Sequence, residues 1–292
     1  MLSHVVVGTD FSKPSEAVLD YLPRLKYAGL EKVTLVHVES LLNMPGYAPT
    51  ILAAAREALS GEVERLRESG FEVEPALEHG SAAIKLADVA KEHDADAIVV
   101  GSHGRSLLGR ILLGSTSMSL LHQSTVPVLI VRVALCETDE GISCELQSDR
   151  PSQHILFPTD FSDAANAAFE QMKALVGETA SRVTLLHVHN PPAYPEDDDD
   201  VDEEDTLPTE RRVRLERMVE RLRSSGLSEI ETVVTTGVPA VSIVKHAHER
   251  DVSMIAMGTQ GRGAMQELMV GSTALKVSRT STVPVLMIPH RP

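Results

Sequence analysis

The chain has 292 residues, a length that suits about two domains. Hydrophobic residues make up 42% of it and charged residues 24%, without tryptophan, as in soluble domains that bury a core. No run approaches the roughly 18 consecutive apolar residues of a membrane helix. The formal charge of −15 disfavours a nucleic-acid groove or an anionic membrane as partner.

The first residues, MLSHVVVGTDFS, enter a strand-like run with neither a basic lead nor a small-residue cleavage site, so no secretory signal is expected. The two cysteines, Cys136 and Cys144, are too few for a disulfide framework. They point to a reducing cytoplasm and read as incidental thiols.

In chain order, β-branched, nearly continuous apolar runs predict parallel strands at His4–Gly8, Lys32–Val38, Glu72–Leu77, Ala97–Val100 and Val126–Val131. Lys13-Pro14 opens the first helix. Ile51, Ala55, Leu59, Val63 and Leu66 form one helical stripe, which Gly70 closes. The pattern then recurs. His4–Ser12 returns at offset 150 as His154–Ser162, and Val33–Val38 as Val183–Val188. From Gly80 onward the offset is 157, so that Ser124–Leu129 returns as Ser281–Leu286. Twelve of 35 positions are identical over 4–38 against 154–188, and 18 of 51 over 80–130 against 237–287, enough to make this a tandem repeat. In the second copy Asp163 opens the first helix, and Leu215, Met218, Val219 and Leu222 repeat the later stripe before Gly226. Strand–helix alternation with short loops predicts an α/β chain of two open parallel sheets. The expected division is 1–133, a linker over 134–153 that is polar and without periodicity, and 154–292. The second copy's extra residues coincide with an acidic run, 196–205, holding nine carboxylates in ten positions. It reads as a solvated surface insertion. It lacks the glycine and the alternation of a calcium loop, and no metal site is expected there.

Ligands of such sheets bind beyond the carboxyl ends of the strands. Thr9-Asp10 and Thr159-Asp160 follow the first strands. Gly101-Ser-His103-Gly104, then nine residues beginning with Arg105, then Gly114-Ser115-Thr116-Ser117 follow the fourth. The second copy has Gly258-Thr-Gln260-Gly261, nine residues beginning with Arg262, then Gly271-Ser272-Thr273-Ala274. Glycines let a phosphate chain approach the backbone closely, and Ser115 and Ser272 open helices whose first N–H groups and positive dipole end suit an anion. A turn or an ordinary helix cap accounts for one such pair, but not as easily for the same spacing twice. His37 and His187 read as strand residues satisfied by hydrogen bonds. The replacement of His103 by Gln260 speaks against a shared catalytic histidine. Neither a GxxxxGK[ST] loop nor a GxGxxG turn after the first strand is present.

The TDFS turn, the VTLVHV and VTLLHV strands, the G-x2-G-x9-G-[ST] loops and the closing STVPVL strands together resemble the universal stress protein family, over both halves nearly end to end. The resemblance implies strand order 3-2-1-4-5 in a Rossmann-like, adenine nucleotide alpha hydrolase-like fold. It implies ATP, with or without magnesium, as cofactor. Asp10 and Asp160 would lie by the adenosine, and Val38 and Val188 against the adenine. The residues Gly101, Gly104, Gly114 and Ser115, and likewise Gly258, Gly261, Gly271 and Ser272, would hold ribose and phosphates. Ser117 stands where such proteins carry a hydroxyl near the phosphates; Ala274 replaces it in the second copy. The expected function is a nucleotide-dependent regulator of stress survival acting through a protein partner. The alternatives are a slow ATPase or phosphotransfer enzyme, or a scaffold that has lost its nucleotide. The loops show no positioned general base, which favours the regulator. The apolar final strands are expected to cover each other's edges within the chain as a pseudo-twofold pair, with a further homodimer as an open possibility.

Overall fold

Runs of valine, isoleucine and leucine too apolar to face water on either side form the central strands, and amphipathic segments between them cover both faces. The computed structural model describes residues 1–39, 48–102, 113–138, 141–146, 153–176, 179–190, 206–261 and 270–290. The acidic run 196–205 lies outside them. The first repeat runs β1 (His4–Thr9), α1 (Lys13–Leu25), β2 (Lys32–Glu39), α2 (Ala48–Glu68), β3 (Glu72–His79), α3 (Ala82–Glu92), β4 (Ala97–Gly101), α4 (Ser115–Gln123) and β5 (Val128–Val131). After β6 (Val133–Thr138) and β7 (Gly141–Leu146), the second runs β8 (His154–Pro158), α5 (Asp163–Val176), β9 (Arg182–His189), α6 (Thr206–Arg223), β10 (Glu229–Thr236), α7 (Pro239–Glu249), β11 (Met254–Gly258), α8 (Ser272–Thr280) and β12 (Val285–Ile288).

Within each repeat the strands pair in parallel in the order 3-2-1-4-5, so the α/β architecture and the strand order hold in both. Gly70 and Gly226 end α2 and α6 at φ +82° and +88°, a left-handed conformation that glycine adopts without a Cβ penalty. The interval read as an irregular linker instead contains an antiparallel hairpin, in which β6 and β7 pair from Val133↔Leu146 to Thr138↔Gly141. The hairpin lies against α1. Period-two alternation too short to stand out in a polar context becomes a ladder once a helix lies beside it.

The two sheets are one. β5 and β12 pair antiparallel, Leu129 opposite Leu286, making ten strands in continuous order. Leu129 and Leu286 are equivalent positions of the repeats, so a pseudo-twofold axis passes between them. Two apolar layers follow, one on each face, and each runs through both repeats. Val7, Leu22, Leu66, Phe157, Phe169 and Leu222 belong to one, Val6, Ile98, Leu120, Ile130, Ile255 and Val277 to the other. Across the joint, the buried Arg132 donates from Nη2 to the carbonyl of Ser278 at the end of α8, where a cation meets the negative helix end. Burial alone lowers its pKa, to about 10. The N-terminus is tied across as well, the Leu2 amide donating to the Leu175 carbonyl at 3.0 Å.

Val128 is 2% exposed and sits between Ile98 of β4 and Met287 of β12. Val128→Lys buries an ammonium there, an unpaired charge of the kind that costs about 3 kcal/mol or more. We expect calorimetry to show a lower Tm and unfolding split into two transitions as the repeats uncouple. A single transition at the parental Tm would show that the joint does not couple them.

Candidate functional site

The crevice begins at the turn after the first strand. Thr9 Oγ1 accepts from the Phe11 amide (3.1 Å), and Asp10 Oδ1 accepts from the Ser12 amide (3.1 Å) and the Ser12 hydroxyl. Phe11 sits at φ +58°, a left-handed conformation costing about 1–2 kcal/mol in a non-glycine residue. Two contacts offset it. The Phe11 ring stacks on His37 at 4.2 Å between centroids, and His37 Nδ1–H donates to the Thr9 carbonyl at 2.9 Å. The second repeat builds the same clamp. Phe161 is at φ +61°, its ring is 4.6 Å from that of His187, and His187 Nδ1–H donates to Thr159 at 2.9 Å. The second-strand histidines are therefore structural. They hold Asp10 and Asp160 at the strand ends.

On the other side, the chain leaves β11 at Gly258 and returns at Gly271, whose amide donates to the Thr259 carbonyl (2.8 Å) and closes the loop at its base. Gly114 donates to Ser102 in the same way (2.9 Å). These two N–H groups are used within the protein. The first-turn amides of Ser115–Ser117 and Ser272–Ala274 have no side-chain cap among the described residues, and Ser272–Ala274 line the cavity of the second repeat. The N-cap glycines do not need to be glycine for their conformation, φ −57° at Gly114 and φ −63° at Gly271, which any residue adopts. Nor does packing require it at Gly271, where an added Cβ would meet only ordinary contacts, the nearest being the Thr259 carbonyl at 3.5 Å. Gly261 is different: its Cβ would collide with the Asp160 carboxylate, which places that carboxylate against the glycine loop.

In the second repeat these pieces surround a cavity of about 530 Å³, within the range of small-molecule sites. Of the residues expected there, Thr159, Asp160, Val188, Gly258, Gln260, Gly261, Gly271, Ser272 and Thr273 all line it. In the first repeat Thr9, Asp10, Val38, Gly101, Gly114, Ser115, Thr116 and Ser117 hold the equivalent strand-end and helix-start positions. His103, Gly104, Arg105 and Arg262 lie outside the described residues. Ser117 is buried, and its hydroxyl donates to the Gly101 carbonyl at 2.7 Å. It ties the helix to the strand end, so the change to Ala274 removes that tie in the second repeat.

Among the lining residues of the second cavity that escaped sequence reasoning, two carry charged or titratable side chains. Arg211 of α6 and His189 at the end of β9 line the second cavity, where the first repeat has Ala55 and Glu39. Burial, and then the Arg211 charge, lower the His189 pKa. In the first repeat Glu62 of α2 stands where the second has the buried Met218. Glu62 Oε1 accepts from Thr9 Oγ1 (3.2 Å), while Oε2 is buried without a hydrogen-bond partner among the described residues. Burial raises its pKa above the usual carboxylate value, against the lowering hydrogen bond from Thr9.

A raised folded-state pKa means that the folded protein binds the proton more tightly than the unfolded chain does. The ionised form therefore destabilises the fold above the folded pKa, and the effect vanishes at pH values below the unfolded one. Glu62→Gln should thus be more stable than the parent at pH 7, with the gain disappearing toward about pH 4. Thermal melts across that range check it; a gain that persists at low pH would assign the effect to something other than ionisation.

A model of the universal stress protein family matches residues 1–132 and 151–289. A universal stress protein of Mycolicibacterium smegmatis is 25% identical over 310 residues, spanning 98% of this chain and 97% of its own length. The crystal structure of a universal stress protein from Archaeoglobus fulgidus DSM 4304 aligns at TM-score 0.68 and 24% identity over 98% of this chain and 96% of that one, a likeness of fold. A universal stress protein solved in complex with cAMP is 28% identical, covers 45% of this chain and 97% of its own, and aligns at TM-score 0.36. With both repeats matched, the chain belongs to the universal stress protein family.

Proposed function

We infer that each repeat binds an adenine nucleotide, ATP, and that the protein works as a nucleotide-dependent regulator of stress survival through contacts with another protein. The observation that carries the binding reading is the pair of N-cap glycines. An N-cap favours Ser, Thr, Asp or Asn, whose side chains satisfy the first N–H groups. Gly114 and Gly271 forgo that in an ordinary conformation, and at Gly271 packing leaves room for a side chain. A bare backbone at a helix N-terminus suits an anion that must come close, as a phosphate does. Arg211 adds positive charge to the second cavity in a chain of net charge −15. Adenine follows from the family resemblance, with Val38 and Val188 at the base and Asp10 and Asp160 by the adenosine. Arg105 and Arg262, which follow the glycine pairs, are counted among the ATP contacts in the same reading. Magnesium, where present, would accompany the phosphates.

A regulator is favoured over an ATPase because the strand-end aspartates are engaged in holding the turn, Asp10 and Asp160 accepting from Ser12 and Ser162. A hydrolase needs a group free to orient water at the phosphate.

Denaturing the purified protein and identifying the released nucleotide tests the reading, with two ATP per chain as the expected stoichiometry. Gly271→Val, by placing a branched side chain where the phosphate would lie, should reduce calorimetric stoichiometry from two to one and leave the circular dichroism unchanged. Gly114→Val should do the same for the first site. Two nucleotides bound undiminished by a folded Gly271→Val variant would overturn the assignment, and rapid turnover of ATP with magnesium would favour the enzyme.

A further inference from the structure

The ten-stranded sheet ends in two edges, β3 and β10, at equivalent places in the two repeats. A free edge presents a row of unpaired N–H and C=O groups, and proteins blunt such edges with proline and charge. The two edges differ in that respect. In β3 the amide of Glu72 bonds inward to Glu31 and that of Gly80 to Glu39. Alternate residues therefore face β2, and Val73, Pro75, Leu77 and His79 turn their backbone outward. Pro75 has no N–H, so the outward row of donors is broken at its middle, where an edge tolerates proline. In β10 the Gly237 amide bonds inward to His189, which leaves Ile230, Thr232, Val234 and Thr236 facing outward. Thr232 stands where β3 has Pro75, and Thr235 where it has Glu78. The donor row of β10 is therefore unbroken. Val234 is 45% exposed along it, and Val238 and Val241, 55% and 53% exposed, follow at the start of α7.

We propose that β10 is a self-association edge, pairing antiparallel with β10 of a second copy of this chain about a twofold axis through Val233. In that register Thr232 lies opposite Val234 of the partner subunit, Ile230 opposite Thr236 of the partner subunit, and Glu231 opposite Thr235 of the partner subunit. Carboxylate does not face carboxylate, and Glu229 and Glu231 are already engaged by Arg182 and Arg250. All four outward residues fall in hydrogen-bonded pairs, the arrangement that uses every free donor and acceptor of an antiparallel edge. The chain closes its other apolar edges by the same means, β5 against β12 about Leu129 and Leu286. The pairing joins two ten-stranded sheets into one and leaves the nucleotide crevices, at the strand ends, outside the contact.

Sedimentation velocity on the full chain from about 0.1 to 100 µM reads the equilibrium directly. The parent should pass from monomer to dimer within that range. Thr232→Pro copies the proline that the equivalent strand β3 already accommodates. It should weaken the dimer by about tenfold or more, with circular dichroism and Tm close to parental. Val234→Lys keeps every backbone donor but sets an ammonium in the joint, and should weaken it as well. A parent that stays monomeric throughout, or a dimer undiminished in both folded β10 variants, would overturn the proposal. So would an edge that captures only a different protein. Nucleotide stoichiometry measured on the same samples separates this outcome from the fate of the binding reading.

Discussion

The structure depends on one strand pairing, β5 against β12. An open parallel sheet five strands wide leaves its last strand uncovered, and here that strand is apolar throughout, Val128–Val131 in one repeat and Val285–Ile288 in the other. Antiparallel pairing satisfies both rows of backbone groups at once and brings the flanking helices into register on each face. The two apolar layers then run unbroken across the repeats. Arg132 caps the end of α8 from the neighbouring repeat, and Leu2 reaches α5. Neither contact exists for an isolated repeat.

Each crevice rests on a smaller device, the clamp of Thr, Phe and His around the first turn. It explains why TDFS and the strand-two histidine recur together. The left-handed phenylalanine is unfavourable unless the histidine ring covers it, and the imidazole in turn fixes the Thr carbonyl. The clamp aims the aspartate toward the glycine loop, where Gly261 packs on Asp160. The opposing helix start has no side-chain cap among the described residues, so its first N–H groups are positioned by the fold itself.

Duplication has let the two crevices diverge while the backbone stays common. Glu39, Ala55 and Glu62 in the first correspond to His189, Arg211 and Met218 in the second. The first wall is acidic and the second basic, on the same fold. The sheet edges diverged likewise, with Pro75 on one side and Thr232 on the other. Most of these differences alter charge and donor count around the crevices and edges; Glu62 against Met218 also changes one position of an apolar layer.

Much of this was legible along the chain. Strand and helix positions follow from local periodicity, and most strands run only one or two residues beyond their apolar runs, as β1 does to Thr9 and β4 to Gly101. The helix starts at Ser115 and Ser272 were also readable, because each follows a glycine at the same spacing after the fourth strand of its repeat. Other features were decided only by the tertiary structure. The hairpin at Val133–Leu146 is one, a ladder beside α1 in a stretch too polar to announce itself. The partner of the Ser117 hydroxyl is another, since Gly101 lies on a different element. Arg211 and Glu62 reach the crevices from positions more than 45 residues along the chain from the turns they approach. Periodicity records which face of an element is buried; what lies against that face is set by chain packing at long range, and no local pattern encodes it.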